Sequence, residues 1–285
     1  MQGLAILAAL FTVVAWSLNF PFIRYVSQWF SAGEITALRI WFASLFMGLL
    51  ALRGLPRRPR GRDGAWLLLI GVLGAGLSSY FLTLGLRTVT SGAGALVIAT
   101  VPVFSAVLAR VFLMERILPG GWAGIAVSTL GVALIGLGEG GGARLEIGAL
   151  LLVGSALCQA VYYVFQKPLN RGLTAVEMNS WAMWGSALPV ALLAPDVADS
   201  VAAAPWSALL GCVYLGVVPL GLGFITWSYA LARAPAAQVT SAMYTMPLLT
   251  TLEAWAWLGE LPAPLSLLGG ALALAGVILL HLLRR

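Results

Sequence analysis

Several polar and aromatic side chains of this sequence recur at the spacing of one helix face within segments that are otherwise apolar. Neighbours on such a face recur at i, i+3, i+4 and i+7, and Gln159, Tyr163 and Gln166 fit this spacing with Tyr162 beside them. Lipid gives these groups no partner, so we expect them to face the protein interior. The predicted ligand-binding residues are Trp16, Asn19, Tyr80, Gln159, Tyr162, Tyr163, Gln166 and Tyr244.

The chemistry open to this set is recognition of a small amphipathic solute. Amides and hydroxyls can bind a carboxylate, and the face of a Trp or Tyr ring attracts an ammonium group. Hydrogen bonding between helices is the competing interpretation for about half of these polar side chains, and Thr12 and Ser155 lie on the same faces.

The sequence offers little for covalent or metal chemistry. It holds one histidine, His281, and two cysteines within apolar runs. We find no nucleophile–base pair, metal-ligand spacing or phosphate-binding motif. We therefore predict no catalytic residue, no metal site, no cofactor and no binding of nucleic acid. A membrane-embedded enzyme and a channel remain as alternative classes, although rings of charge that would line a pore are lacking.

Charged side chains inside the apolar segments are few. Glu253 is the acidic residue expected deepest within a segment, and such groups are functional by default. It falls in the last two turns of its span, however, so a role without direct substrate contact is favoured. Glu115 and Glu260 are expected at helix ends, as capping or pairing groups. Arg24 and Arg39 flank the first short connection; we expect both to reach the membrane interface, with attraction of an anionic group as the alternative.

The composition is that of a membrane protein, since 61% of the 285 residues are hydrophobic and 9% are charged, against about 25% charged in soluble domains. A crossing helix needs about 20 apolar residues. We expect the N-terminal segment to be the first span rather than a removable signal peptide. Ten spans are predicted, near 3–23, 34–52, 65–86, 91–113, 119–138, 147–167, 177–195, 206–231, 236–258 and 264–282.

Basic residues predict the orientation of these spans. The short segment 53–64 holds five of the sixteen Lys and Arg residues, and cytoplasmic connections carry such an excess. With this segment in the cytoplasm, twelve of the sixteen lie on that side. An even number of spans then places both termini in the cytoplasm. We predict a multi-pass protein of a bacterial cytoplasmic membrane, surrounded by lipid and monomeric.

An internal repeat appears when residues 83–135 are compared with 228–280, at a constant offset of 145. We predict two repeats, 1–140 and 145–285, with five helices each. Five is odd, so the second repeat enters the membrane from the opposite side, as in many secondary transporters with a binding site at the repeat interface. Identical residues in the two copies are Pro102/Pro247, Glu115/Glu260, Gly124/Gly269 and Gly131/Gly276.

Pro102 and Pro247 lie inside predicted spans, where a proline removes one backbone hydrogen bond. We predict that each kinks its helix and acts as a flexing point. A kink that serves packing alone is an equally weighted alternative.

The residues AWSLNFPFIRY at 15–25, and the repeated pattern of proline, glutamate and two glycines, resemble the drug/metabolite transporter superfamily, specifically its EamA-type members. The resemblance spans nearly the whole chain and implies a ten-helix exporter of amino acids or related small molecules. The many aromatic residues are similar to those of the YddG-type exporters of aromatic amino acids. Related multidrug transporters carry a glutamate in the first helix, whereas residues 4–23 hold no acidic residue.

The sequence thus predicts an all-α secondary transporter that works by alternating access, with facilitated diffusion or exchange favoured over proton coupling. A proton-coupled multidrug exporter is the alternative within the same class.

Overall fold

The computed structural model describes residues 2–52, 57, 59, 61–142, 145–166, 172–234, 239–240 and 242–282, and every regular element within these ranges is helical. Much of the basic segment 53–64, with Lys167, Arg171, Arg284 and Arg285, lies outside the described residues. The helices are α1 (Gln2–Ser17), α2 (Asn19–Val26), α3 (Ala32–Ala51), α4 (Arg62–Gly71), α5 (Ser78–Gly85), α6 (Ser91–Ile98), α7 (Val101–Phe112), α8 (Pro119–Glu139), α9 (Ile147–Phe165), α10 (Ala175–Ala187), α11 (Val197–Ala203), α12 (Trp206–Leu215), α13 (Gly223–Leu231), α14 (Met246–Leu258) and α15 (Pro264–Leu282).

Eight helical stretches of the described chain are long and apolar enough to cross a membrane, and several of them contain two of these helices end to end. Each coincides with one of the ten predicted spans. The stretches are Gly3–Val26, Ala32–Ala51, Asp63–Gly85, Ser91–Phe112, Pro119–Glu139, Ile147–Phe165, Trp206–Leu231 and Pro264–Leu282.

The other two predicted spans coincide with shorter helices. Helix α10 ends at Ala187 and a 3₁₀ turn, Pro189–Leu193, follows it, because proline lacks the N–H that would continue the α-helix. Helix α14 follows a 3₁₀ turn, Ala242–Thr245. Both segments are apolar, but their helices are interrupted or short within the described residues.

The first span is broken at Leu18, between α1 and α2, a feature that the sequence prediction of one continuous helix missed. Pro21 has no N–H to give to the carbonyl of Ser17, four residues earlier. The Thr250 hydroxyl of α14 donates to that carbonyl at 3.2 Å instead. The break therefore exchanges a hydrogen bond within the helix for one between helices.

The internal repeat extends to local backbone geometry. A π-helical segment, Val72–Leu77, joins α4 to α5, and a second one, Gly216–Leu222, joins α12 to α13. Met114 and Gly259, which are 145 positions apart, both adopt positive φ angles, of 56° and 69°. The backbone N–H after each of them bonds a carbonyl six residues earlier, so both helices end in the same cap.

Contacts between helices occur in equivalent pairs: when each helix is replaced by its counterpart in the other repeat, the same contact is found. Helix α1 packs on α13, and α9, the counterpart of α1, packs on α5. In the same way α14 packs on α1, while α7 packs on α9. Helices α8 and α15, which end the two repeats, pack against each other along much of their length.

Glycines allow the close approach of α8 and α15. A Cβ atom on Gly124 would lie 2.7 Å from the carbonyl oxygen of Gly276, and one on Gly131 would lie 2.5 Å from that of Gly269. Gly124 corresponds to Gly269 in the repeat and Gly131 corresponds to Gly276, so these two contacts are related by the same exchange. Backbone contacts of this kind hold membrane helices together where small residues face each other.

Pro102 and Pro247 occupy a different place from the predicted interior of a kinked helix. Helix α6 ends at Ile98 and α7 begins at Val101, so Pro102 is the second residue of a new helix; Pro247 is likewise the second residue of α14. A proline in the first turn costs no hydrogen bond, because the N–H groups there have no partner within the helix. The spans are therefore interrupted just before each proline, and flexing at these points stays a prediction.

Candidate functional site

An inner cavity of about 130 Å³ lies where helices of the two repeats meet. Its wall uses equivalent positions of both repeats: Gly74 and Ala75 face it from one π-helical segment, and Pro219 and Leu220 face it from the other. Ser79 with Phe224, and Ile98 with Met243, form further pairs at the offset of 145. The cavity therefore lies at the interface of the repeats.

Most of the residues predicted to bind a ligand do line this space. Trp16, Asn19, Gln159, Tyr162 and Tyr163 face the inner cavity. An outer chamber of about 1020 Å³ shares several of these residues and adds Gln166, Tyr244 and Pro102. Their direct role in binding stays a prediction.

Tyr80 and Pro247 do not line either chamber. The Tyr80 ring is half-buried and lies 6.3 Å from the Phe81 ring, centroid to centroid, while Ser79 takes the place at the cavity. The cavity-lining residues of this stretch keep helical spacing, and Tyr80 lies about 100° around the helix from Ser79, away from that line. These lining residues are Gly74, Ala75, Ser78, Ser79 and Leu82.

Trp16 fixes one wall of the cavity. Its indole Nε1–H donates to the carbonyl of Pro219 at 2.8 Å, which joins α1 to the second π-helical segment. Its ring lies 5.5 Å from the Phe224 ring and 5.4 Å from the Trp227 ring, centroid to centroid. The contact with Phe224 is edge-on and that with Trp227 is tilted, and both pack the indole where the inner and outer chambers meet.

Arg39 is a central residue that the sequence reasoning placed wrongly. Instead of reaching the interface it is 2% exposed and lines the inner cavity. Its Nη2 donates to Oδ1 of Asn19 at 2.8 Å, whereas Nε and Nη1 have no partner among the described residues. A signal was available, because Ser31 and Glu34 form a capping box that fixes the start of α3. Seven residues later, about 10 Å along the helix, Arg39 lies well inside the span.

The far end of the molecule is closed over the inner cavity by an ion pair. Arg24 Nε donates to Glu260 Oε1 at 2.6 Å, and Arg24 Nη1 donates to the Leu86 carbonyl at 2.7 Å. Ser91 donates to Glu260 Oε2 through its hydroxyl, at 3.2 Å, and through its backbone N–H, at 3.3 Å. These bonds join the ends of α2, α5 and α14 to the start of α6, and Glu260 is a pairing group at a helix end, as the sequence predicts.

Aromatic rings from the same helices pack near this ion pair. The Phe22 ring stacks on Tyr214 with centroids 4.0 Å apart and meets the Trp257 ring edge-on at 4.6 Å. Tyr25 lies 5.2 Å from Trp257, centroid to centroid. We call this end, with Arg24 and Glu260, the closed end.

The outer chamber reaches the opposite surface. Its wall includes Arg233 and His281, which are exposed at the ends of their helices, and Thr174 before α10. The Arg233 guanidinium lies 3.9 Å from the centroid of the Tyr229 ring, which lines the same chamber. We call this the open end.

Other members of the predicted polar faces join helices. Thr12 shares a hydrogen bond of 2.7 Å with Thr226, and Ser155 bonds Ser78 across α9 and α5. Glu253 lines neither chamber: its Oε1 accepts from the Ser17 hydroxyl at 2.8 Å, and its Oε2 is buried without a partner among the described residues. Within the described chain no cluster of His, Cys, Asp and Glu could hold a metal ion.

Comparison with known proteins gives consistent matches over the whole chain. Residues 3–137 and 146–282 each match the EamA-like transporter family. A probable terminal-alkyne amino-acid exporter of Streptantibioticus cattleyicolor is 38% identical, over 97% of this chain and 93% of that protein. The uncharacterized transporter YdfC of Bacillus subtilis is 30% identical, over 94% of this chain and 87% of that protein.

A solved crystal structure shares the fold, with a TM-score of 0.66 over 99% of this chain and 97% of that one, at 21% identity. The two family matches fall on the two halves related by the offset of 145. This chain belongs to the EamA-like transporter family.

Proposed function

We propose that this protein exports a small amphipathic amino acid across the cytoplasmic membrane by alternating access. The observation that carries the proposal is the pair of linked chambers between the repeats, which open at one end, while Arg24 and Glu260 pair at the other. A pore would need both ends open at once, whereas a transporter exposes its site to one side at a time.

The charge distribution orients this state. The positive-inside rule assigns the end that holds Arg233 and His281 to the cytoplasm, so the chamber is open to the cytoplasm and the ion pair closes the periplasmic side. Ten crossings with two oppositely oriented repeats agree with this assignment and with the exchange of helix contacts between the repeats. Substrate would then enter from the cytoplasm, as export requires.

The wall of the inner cavity favours an amphipathic solute. Trp16, Phe20, Tyr162 and Phe224 supply apolar surface, and Asn19 and Gln159 supply amides. The exporter name of the relative from Streptantibioticus cattleyicolor supports an amino acid with an apolar side chain.

A multidrug exporter of cations fits the cavity less well. Arg39 brings a positive charge to the wall, and no Asp or Glu lies among the described residues that line either chamber. A lipophilic cation would therefore meet repulsion without a compensating carboxylate.

The test is counterflow into proteoliposomes. Vesicles that hold purified protein are loaded with unlabelled leucine, phenylalanine or propargylglycine and diluted into a trace of the same labelled compound, with ethidium and a nucleoside as further probes. We expect saturable accumulation of at least one amino acid. The control is Trp16→Ala, which removes the indole between the chambers and its bond to α12–α13, and should accumulate much less at equal protein. Absence of accumulation for every amino acid would overturn the proposal, and accumulation of ethidium alone would support the multidrug alternative.

A further inference from the structure

We infer that Arg39 anchors the carboxylate of the transported molecule, and that the site does not require an ammonium group, so its substrates form a class of apolar monocarboxylates. This inference rests on the proposed transport function and deepens it by naming the part of the substrate that is recognised.

The first step is the exposure and placement of the guanidinium. Arg39 is 2% exposed, lies about two turns inside α3 and lines the inner cavity. An arginine at this depth stays charged in proteins. It cannot reach water at the membrane surface as the interfacial arginines do.

The second step is its lack of a counter-ion. Among the described residues the ion pair within 4.0 Å joins Arg24 to Glu260, and Arg39 has no such partner. The lining of the inner cavity includes no Asp or Glu. Burial of a charge with no partner is costly, and intramembrane charges of this kind mark substrate sites.

The third step is the geometry of the free donors. A guanidinium carries five N–H groups, and Asn19 Oδ1 accepts one of those on Nη2 at 2.8 Å. The second N–H of Nη2, together with one on Nε or Nη1, leaves an edge with two parallel donors. Such an edge matches the two oxygens of a carboxylate. Asn19 holds the plane of the group, and Nε and Nη1 on this edge are buried and have no partner among the described residues.

The fourth step concerns the other end of an amino acid. An ammonium group in this cavity would find Gln159, two tyrosines and the Trp16 ring, but no carboxylate of the described residues. Contacts of an ammonium with aromatic faces are weak compared with a charge-assisted pair. A compound without the ammonium group should therefore bind almost as tightly as the amino acid, whereas one without the carboxylate should lose most of its affinity.

The experiment compares three compounds with one side chain: the amino acid, its α-keto acid, which lacks the ammonium group, and its amide, which lacks the carboxylate. The side chain is that of whichever of leucine, phenylalanine and propargylglycine gives the fastest counterflow. We expect the α-keto acid to inhibit counterflow within about fivefold of the amino acid, and the amide to be weaker by more than about tenfold.

Three variants test Arg39 itself. Arg39→Met keeps the length of the side chain without its charge, and should lose counterflow by more than about tenfold while eluting as a folded protein. Asn19→Asp places a carboxylate of the protein beside the guanidinium, and should compete with the substrate to a similar extent. Arg87→Met changes an exposed arginine by the same substitution and should transport normally.

The outcomes separate this inference from the proposed function. An amide that inhibits as well as the amino acid, or normal counterflow by Arg39→Met, would overturn the anchor and leave the transport function standing. No counterflow of any compound by the unmodified protein would overturn both. If Arg39→Met does not fold, the three compounds on the unmodified protein still decide the matter.

Discussion

The carboxylate of Glu260 lies 2.6 Å from Nε of Arg24, and this pair joins the end of α14 to the end of α2 across the closed end of the molecule. The Arg24 side chain is 24% exposed and the Glu260 side chain 17%, so water screens the pair only partly. Ser91 adds two further donors to the same carboxylate. The arrangement makes Glu260 a meeting point for three segments that must separate before the inner cavity can open at this end.

Substitution Glu260→Gln should loosen the closed end. The change removes the charge, and with it about 1 kcal/mol of stabilisation for a pair that is partly exposed, so the population open at this end should rise about fivefold. The measurement is the rate at which a membrane-impermeant maleimide, added from the closed side, modifies a cysteine placed at Ser79. Cys158 and Cys212 are first replaced by serine. The matched control is Glu146→Gln, a carboxylate that caps α9; equal labelling rates in all three proteins would contradict a gating role.

Substitution Gly131→Ala should destabilise the contact between α8 and α15. The new methyl group would lie 2.5 Å from the carbonyl oxygen of Gly269 and against the backbone nitrogen of Ala273. Backbone cannot move away as a flexible side chain does, so we expect a loss of about 2 kcal/mol in the free energy of unfolding. Gly276→Ala, at the equivalent position, should lose a similar amount.

The control for these variants is Gly48→Ala on α3, where a Cβ atom meets nothing within 4 Å. An alanine there should stabilise the helix by about 0.5 kcal/mol or more. Thermal unfolding in detergent compares the three proteins. A loss for Gly48→Ala as large as that for Gly131→Ala would show that the helix contact is not the cause.

Met114 and Gly259 end equivalent helices in the left-handed conformation, with φ angles of 56° and 69°. This conformation costs about 1 kcal/mol for a residue with a side chain and nothing for glycine. Met114→Gly should therefore stabilise the protein by about 0.5 kcal/mol, after allowance for the greater freedom of glycine in the unfolded chain. Gly259→Ala should destabilise it by about 1 kcal/mol. Opposite shifts in the unfolding temperature are expected, and shifts of the same sign would contradict the shared cap.

Glu253→Gln should leave transport nearly unchanged. Its carboxylate bonds Ser17 and lines neither chamber, and glutamine keeps an oxygen that can accept from the same hydroxyl. We expect counterflow within about twofold of the unmodified protein, since removal of a partly satisfied buried charge costs little. If an imposed pH gradient drives uptake in the unmodified protein and fails to do so in this variant, coupling through Glu253 would replace the facilitated diffusion or exchange that the sequence favours.

The sequence predicts much of this architecture, because the apolar segments and the repeat at an offset of 145 can both be recognised from residue types and spacing alone. The polar faces of α1 and α9 also follow from helical spacing, and Trp16, Gln159 and Tyr163 do face the cavity. Tyr80 does not, because Ser79 faces the cavity and Tyr80 lies about 100° further around the helix. Helical spacing from Thr83 fits either neighbour, so the sequence does not decide between them. Spacing also does not distinguish a proline at a kink inside a helix from one in the first turn of a new helix, which is where Pro102 and Pro247 lie.

Arg24 and Arg39 show the limit of local reasoning most clearly. Their places beside the first short connection predict an interfacial position for both. Arg39 departs from it, since it is 2% exposed, whereas Arg24 is partly exposed at the closed end. Their actual partners, Glu260 and Asn19, lie 236 and 20 positions away in the chain. The first pairing depends on how helices of the two repeats pack and the second on how α2 and α3 pack within one repeat, and the spacing of residues along one helix encodes neither.

The measurement that tests the central claim most directly is exchange across the membrane of proteoliposomes. Vesicles that hold the protein and a labelled amino acid are diluted into buffer with or without the same unlabelled compound, and the release of label is followed. One cavity that serves the two sides in turn should release label at a saturable rate, and outside substrate should accelerate that release several-fold. Release that grows linearly with the internal concentration, and that outside substrate leaves unchanged, would contradict alternating access.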